Sequence, residues 1–131
     1  NIIFANNTTL GGHVKIDDWA ILGGFTAVHQ FCRIGKHSFT GIYTGVTKDV
    51  PAYVLASGSP AVPRGINIEG LKRRGFTADQ ISNIREAYRI LYRQDLKLED
   101  AVKKLKKSAK TQEELLVLLE SVRASSRGII R

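Results

Sequence analysis

Four side chains stand out as candidates for proton transfer, metal binding or nucleophilic attack: His13, His29, His37 and the single cysteine, Cys32. Their spacing fits no metal-ligand pattern, so no metal site is expected. Imidazole exchanges a proton near neutral pH, and His13 and His29 lie sixteen residues apart. A lone histidine in a repeat is more often a surface or stacking residue. Cys32 has no partner for an internal disulfide and reads as a small core residue, which suits a reducing cytoplasm. A second group, Asn67, Glu69, Arg73 and Arg74, is gathered in one short stretch. Arg73 follows Glu69 by one helical turn, so one end of a helix can present these residues together. Taken alone, Arg73 and Arg74 read as a solvated basic face.

What must position the histidines is a repeat of six. The series Phe4, Leu10, Ile16, Leu22, Val28, Ile34, Thr40, Val46 is bulky and apolar at every position but Thr40. Four residues after each member comes a small or β-branched residue: Thr8, Val14, Ala20, Thr26, Cys32, Ser38, Thr44, Val50. The residue directly after each member is mostly small or turn-prone, as at Gly11, Gly23, Gly35 and Gly41. A helix repeats every three to four residues and a half-buried strand every two, so a period of six fits neither. It predicts hexapeptide repeats, in which short flat strands wind into a parallel β-helix whose coils bury one another. One coil of three hexapeptides places His13 and His29 on adjacent coils, about 5 Å apart in height.

The period fades after Val50, and Pro51, Pro60 and Pro63 with Gly58 and Gly65 mark an exit from the solenoid. Beyond it the pattern is helical. Thr77 and Gln80 form a capping box before a helix with Ile81, Ile84, Tyr88 and Leu91 inward. A second helix follows Leu96, with Leu98, Ala101, Val102 and Leu105 inward. Thr111 and Glu114 are expected to cap a third, carrying Leu115, Leu118, Leu119 and Val122. Two domains are expected, a hexapeptide-repeat β-helix over residues 1–62 and an all-α domain over residues 63–131 that covers the last coil.

Charge is divided unevenly between these parts. Residues 1–62 hold four Lys/Arg against three Asp/Glu, a net +1, and residues 63–131 hold sixteen against nine, a net +7. An acidic partner should therefore meet the second half. No apolar run approaches a membrane span and no secretory signal opens the chain, so no membrane insertion is expected. A chain without methionine that starts part-way through a repeat is expected to be a piece of a longer protein.

Four segments are more specific than a generic solenoid: Asn6–Val14 (NNTTLGGHV), Gly23–Cys32 (GGFTAVHQFC), Asn67–Phe76 (NIEGLKRRGF) and Ser125–Arg131 (SSRGIIR). In this order they closely resemble the C-terminal half of bacterial acyl-carrier-protein:UDP-N-acetylglucosamine O-acyltransferases, which open lipid A synthesis. The resemblance covers essentially the whole chain. It implies a left-handed parallel β-helix, an exception to the usual right-handed crossover, and a cytoplasmic homotrimer with active sites between subunits. It also implies transfer of a 3-hydroxyacyl group from the phosphopantetheine thioester of acyl carrier protein to the 3-hydroxyl of UDP-N-acetylglucosamine, with no further cofactor. In that family a histidine is the general base and a backbone N–H stabilises the oxyanion. The family's base and its neighbouring aspartate match positions before Asn1, so residues 1–131 alone are expected not to catalyse.

The resemblance assigns further roles by position. Gly12 matches the oxyanion glycine, with a tight solenoid corner as the plainer reading. His13, Gly24, His29 and Gln30 match cleft residues, and His37 matches none and is left as a corner residue. Asn67, Glu69, Arg73 and Arg74 match the nucleotide-sugar contacts, where arginine forks suit a diphosphate. Ile42 matches the acyl-chain ruler, where glycine leaves a deep groove and a larger side chain shortens it. A packed groove has little slack, so Ile42 implies an acyl group of about ten carbons instead of about fourteen. Lys103, Lys104, Lys106, Lys107 and Lys110 could speed encounter with the acidic carrier protein, or form a solvated face.

Other classes compete with this one. An N-acyltransferase of the same superfamily is disfavoured by the Asn67–Phe76 segment. A non-catalytic β-helix assembly module is compatible with the missing base. A nucleic-acid binder has only net charge in its favour, because no aromatic residues interleave the basic stretch from Lys97.

Overall fold

The structure is a computed structural model that describes all 131 residues. Eight two-residue strands come first: β1 (Ile3–Phe4), β2 (Thr9–Leu10), β3 (Lys15–Ile16), β4 (Ile21–Leu22), β5 (Ala27–Val28), β6 (Arg33–Ile34), β7 (Phe39–Thr40) and β8 (Gly45–Val46). Then follow β9 (Val54–Ser57), β10 (Val62–Ile66) and the helices α1 (Ile68–Arg73), α2 (Ala78–Tyr92), α3 (Leu98–Ala109) and α4 (Glu114–Arg123). The strands stack in parallel one coil apart, Ile3 on Ile21, Thr9 on Ala27 and Lys15 on Arg33. Three sheets result, β1-β4-β7-β9-β10, β2-β5-β8 and β3-β6, and they form the flat faces of a left-handed parallel β-helix. The last coil is two residues shorter, pairing Phe39 with Leu55 and Ile34 with Val50. That shortening is why the six-residue period fades where it does.

The two buried registers have distinct jobs. Leu22, Val28, Ile34 and Val46 fill the bore, and Ala20, Cys32 and Val50 occupy the narrower space near the corners. Cys32 is fully buried, and burial pushes its thiol pKa up, as expected of a core residue. Hydroxyls are tolerated at these narrow positions because each finds a partner, Thr26 on the next coil at Thr40 Oγ1 and the Gly41 carbonyl, Ser38 and Thr44 at the carbonyl three residues back. Ser38 Oγ donates to the Gly35 carbonyl at 2.7 Å and Thr44 Oγ1 to that of Gly41 at 2.6 Å. A buried polar group so satisfied escapes most of its desolvation penalty.

The turning is done by a third register. Asn7, His13, Trp19, Phe25, Phe31, His37 and Tyr43 all adopt left-handed backbone, with φ between 57° and 67°. This conformation costs a non-glycine residue about 1–2 kcal/mol. Ring stacking up each edge offsets it: His13 on Phe31 at 4.8 Å, Phe25 on Tyr43 at 4.9 Å and Trp19 on His37 at 6.4 Å. The glycines expected as turn residues are therefore not the left-handed ones. Gly11 and Gly23 are glycine because a Cβ would come within 2.5 Å of the next coil's backbone, at Gln30 N and Thr40 O.

The solenoid is closed at its far end in two ways. β10 folds back antiparallel on β9, and the C-terminal segment adds an edge to the β3-β6 face. There Asp49 N donates to the Gly128 carbonyl at 3.0 Å and Ile130 N to the Asp49 carbonyl at 2.9 Å. The helices pack against this end: the Tyr53 hydroxyl donates to the Glu114 carbonyl at 2.8 Å, and Ala52 N donates to Ser121 Oγ at 2.9 Å. One apolar core runs through solenoid and helices, and β10 crosses the expected division at 62/63. The Thr77–Gln80 capping box forms as expected, with both reciprocal bonds made. The Thr111–Glu114 cap does not: α4 starts at Glu114 without a side-chain cap, and the Thr111 hydroxyl donates back to Ser108 instead. No helix is long and apolar enough to cross a membrane.

Candidate functional site

The residues singled out in the sequence lie along three separate edges of the prism. On the edge between the second and third faces, Gly12 and His13 sit one coil below Gln30 and Phe31. His29 and His13 do occupy adjacent coils, but the register stacks His29 over Gly11 and Phe31 over His13. Both imidazoles are exposed. Gly12 is exposed too, its φ is not left-handed, and a Cβ there would meet nothing within 4 Å. Its carbonyl accepts from Phe31 N at 2.9 Å, while its own N–H has no backbone acceptor in the chain. A free N–H with open space before it can bind a developing oxyanion.

The edge between the first and second faces carries Gly24 and Ile42, again one coil apart. Ile42 is 63% exposed, and its Cγ1 lies 3.9 Å from where a Gly24 Cβ would stand. Phe25 and Tyr43 stack beside them. The result is a projecting apolar edge suited to the side of an alkyl chain.

The third edge meets the helices, and Asn67 and Arg74 converge there on His37. This imidazole is 6% exposed, lies between Trp19 and Tyr53, and has the edge of Phe76 against it at 5.1 Å. Arg74 Nη1 donates to His37 Nδ1 at 3.1 Å, and its guanidinium also lies over the Trp19 ring, 5.3 Å from the centroid. Burial, then the Arg74 and Lys36 charges, push the His37 pKa down to about 4, so the ring is neutral at pH 7. Because Nδ1 accepts from arginine, the ring proton sits on Nε2.

Asn67 belongs to the same junction. It caps α1, its Oδ1 accepting from Gly70 N at 3.2 Å, and its Nδ2 donates to the His37 carbonyl at 3.1 Å. At 8% exposed, Asn67 is a fastener between solenoid and helix before it is anything else. Glu69 and Arg73 are exposed and make no ion pair. Arg74 is not part of a solvated face, since its head is held in the junction. Glycine at position 70 leaves room for both partners of His37, since a Cβ there would crowd the Asn67 amide first and Arg74 Nη1, at 2.9 Å, next.

The family model described as UDP N-acetylglucosamine O-acyltransferase, domain 2, matches residues 49–130. The chain belongs to the UDP-N-acetylglucosamine O-acyltransferase family. The acyl-(acyl-carrier-protein):UDP-N-acetylglucosamine O-acyltransferase of Ectopseudomonas mendocina is 54% identical over 129 residues, which span 98% of this chain and 50% of that one. The UDP-N-acetylglucosamine acyltransferase structure from Francisella novicida superposes with a TM-score of 0.96 at 44% identity, covering 99% of this chain and 48% of that one. The O-acyltransferase of Moraxella catarrhalis gives 0.97 at 40%, covering 99% and 51%. The chain thus spans about half the length of the curated relatives it matches. As a UDP-N-acetylglucosamine O-acyltransferase family chain, it shares the left-handed β-helix and the helical cap with these structures along nearly its full length.

Two features of this UDP-N-acetylglucosamine O-acyltransferase family chain were not read from the sequence. An Asn, His or aromatic residue every six positions from Asn7 marks the left-handed edge, and His37 is the member of it that the helices bury. A groove between β10 and α2, floored by Leu55, Ile66 and Ile68, is rimmed by Arg64, Arg85, Arg89 and Arg93. The spacing of Arg85, Arg89 and Arg93 places like charges at successive turns of α2, mildly destabilising in the free protein. Only Glu86 approaches them, 3.9 Å from Arg89.

Proposed function

We propose that this chain is the C-terminal part of an enzyme that moves a 3-hydroxyacyl group from acyl carrier protein to the 3-hydroxyl of UDP-N-acetylglucosamine, the first step of lipid A synthesis. A histidine outside residues 1–131 takes the sugar hydroxyl proton. The resulting alkoxide attacks the thioester carbonyl, the Gly12 N–H faces the tetrahedral oxyanion, and collapse expels the phosphopantetheine thiolate. The protein needs no metal or further cofactor for this step. The observation that carries the reading is the free, unobstructed Gly12 N–H beside the exposed His13, in a chain of this family.

Within one chain, Gly12, His13, His29 and Gln30 lie on a different edge from Gly24 and Ile42, and both lie apart from Asn67, Glu69, Arg73 and Arg74. A single site using all of them needs edges from neighbouring copies, which supports a homotrimer with clefts between subunits. Ile42 and Gly24 then border the acyl chain, and Arg73, Arg74 and Glu69 meet the nucleotide. The α3 lysines and the arginine-rimmed groove offer the acidic carrier protein a positive approach. The reaction is assigned to the cytoplasm.

The test is an acyl-transfer assay on the longest natural chain that carries these residues, with carrier-protein donors of different chain length. Transfer to the sugar 3-hydroxyl is expected, with none from residues 1–131 alone. Transfer to an amino group, or none from the longer chain, would refute the reading.

A further inference from the structure

Two residues matched to nucleotide-sugar contacts, Asn67 and Arg74, converge on one residue that had no assigned role. His37 offers its main-chain carbonyl to Asn67 Nδ2 at 3.1 Å and its ring Nδ1 to Arg74 Nη1 at 3.1 Å. The ring itself cannot swing away. It is stacked on Trp19 and Tyr53, edged by Phe76 and almost wholly buried. Arg74 makes no other side-chain hydrogen bond, so four of its five N–H groups remain available. An arginine at a helix end otherwise samples many rotamers, and ordering it on binding reduces affinity.

We infer that His37 is a positioning residue, whose buried neutral imidazole clamps Arg74 Nη1 and so presets the guanidinium over Trp19 for a nucleotide diphosphate. The inference rests on the proposed reading of Arg74 as a diphosphate contact. The clamp is local to the junction: Gly70 leaves space shared by the Asn67 amide and Arg74 Nη1, and Asn67 ties the start of α1 to the same corner. A histidine suits this position for two reasons. Its flat ring continues the aromatic stack, and its Nδ1 provides an acceptor that Phe or Tyr at the same place in other coils lacks.

The left-handed edge supplies its own controls. Phe25 and Phe31 hold the same backbone conformation, so His37→Phe keeps the backbone and the stack while removing the acceptor. Asparagine also tolerates this conformation, as at Asn7, and its side-chain oxygen can stand near the Nδ1 position. Binding of UDP-N-acetylglucosamine is measured by calorimetry in the longest natural chain carrying these residues, with melting temperatures alongside. His37→Phe should weaken binding about tenfold, the scale of one charge-assisted hydrogen bond. His37→Asn should restore it to within about threefold, and His37→Phe should add nothing on top of Arg74→Lys, since coupled residues are not additive. If His37→Phe lowers the melting temperature, His37→Tyr repeats the comparison, since Tyr43 also holds this conformation. Unchanged affinity in His37→Phe, an equal loss in His37→Asn, or additive losses with Arg74→Lys each overturn the clamp. Normal binding by Arg74→Lys, or no nucleotide binding by the unaltered protein, instead overturns the reading of Arg74 beneath it.

Discussion

Ile42 lies one coil above Gly24 on the same edge, its Cγ1 3.9 Å from where a Gly24 Cβ would stand. The pair makes a step, with a projecting branched side chain over a bare backbone. Removing the projection should lengthen the alkyl chain that this edge accommodates. In the longest natural chain, Ile42→Gly is expected to shift donor preference upward by several methylenes, each worth about 0.8 kcal/mol of buried surface. Competition between donors of about ten and about fourteen carbons reads the shift. An unchanged preference would remove Ile42 from the role of ruler.

Gly12 and Gly23 make opposite predictions from the same substitution. A Cβ on Gly12 meets nothing within 4 Å, so Gly12→Ala should melt within about 2 °C of the unaltered protein. Its methyl would stand beside the N–H assigned to the oxyanion, and transfer should fall at least about tenfold. Gly23→Ala drives a methyl to 2.5 Å from the Thr40 carbonyl oxygen and should destabilise the fold by about 1–3 kcal/mol. Thermal melts and initial rates separate the two, and full activity in Gly12→Ala would rule out the oxyanion assignment.

His37 predicts an acid-sensitive junction. Its folded pKa, about 4, lies below the ordinary 6.5, so the unfolded chain binds more protons between those values. The stability linked to this ring is therefore fully present above about pH 6.5 and is lost as pH falls toward 4, on the order of 2 kcal/mol in all. Burial opposes the protonated ring most, Arg74 and Lys36 add to that opposition, and Asp18 favours the charge without reversing the shift. Urea melts at pH 7.5 and 4.5 should show the loss in the unaltered protein and a smaller one in His37→Phe. The same pH dependence in both would exclude His37 as its source.

The helical cap should loosen when its bond to the last coil is cut. Tyr53 is buried, stacks on His37 and donates to the Glu114 carbonyl at 2.8 Å; burial raises its phenol pKa, so it remains a donor at all working pH values. Tyr53→Phe keeps the ring and leaves that carbonyl without its donor. A loss of about 1–2 kcal/mol is expected, with hydrogen exchange quickening in α4 before it does in β4–β7. Uniform acceleration along the whole chain would mean that cap and solenoid open as one unit.

Which side chains enter the bore was legible in the sequence because each coil's burial is set by its own residues. Leu22, Val28, Ile34 and Val46 repeat on a period that no helix or ordinary strand shares. The inward stripes of α2 and α4 were legible for the same local reason, as was the Thr77–Gln80 cap. The left-handed edge from Asn7 to Tyr43 is equally periodic, but its mixture of Asn, His and aromatic residues carries no turn signal, because left-handed backbone is ordinarily glycine's. The missing cap at Thr111 shows the limit of a motif whose helix starts three residues later.

Only the tertiary structure decided how distant segments meet. His37 and Arg74 are 37 positions apart, Tyr53 and Glu114 are 61, and Asp49 pairs with Ile129 across most of the helical part. No period links such residues, because each contact depends on where β10 and the helices come to rest on the last coil. The same is true of Asn67, whose side chain meets the His37 carbonyl only because α1 docks on that corner. Local burial writes a repeating pattern along a chain; docking between non-repeating parts leaves its mark only in three dimensions.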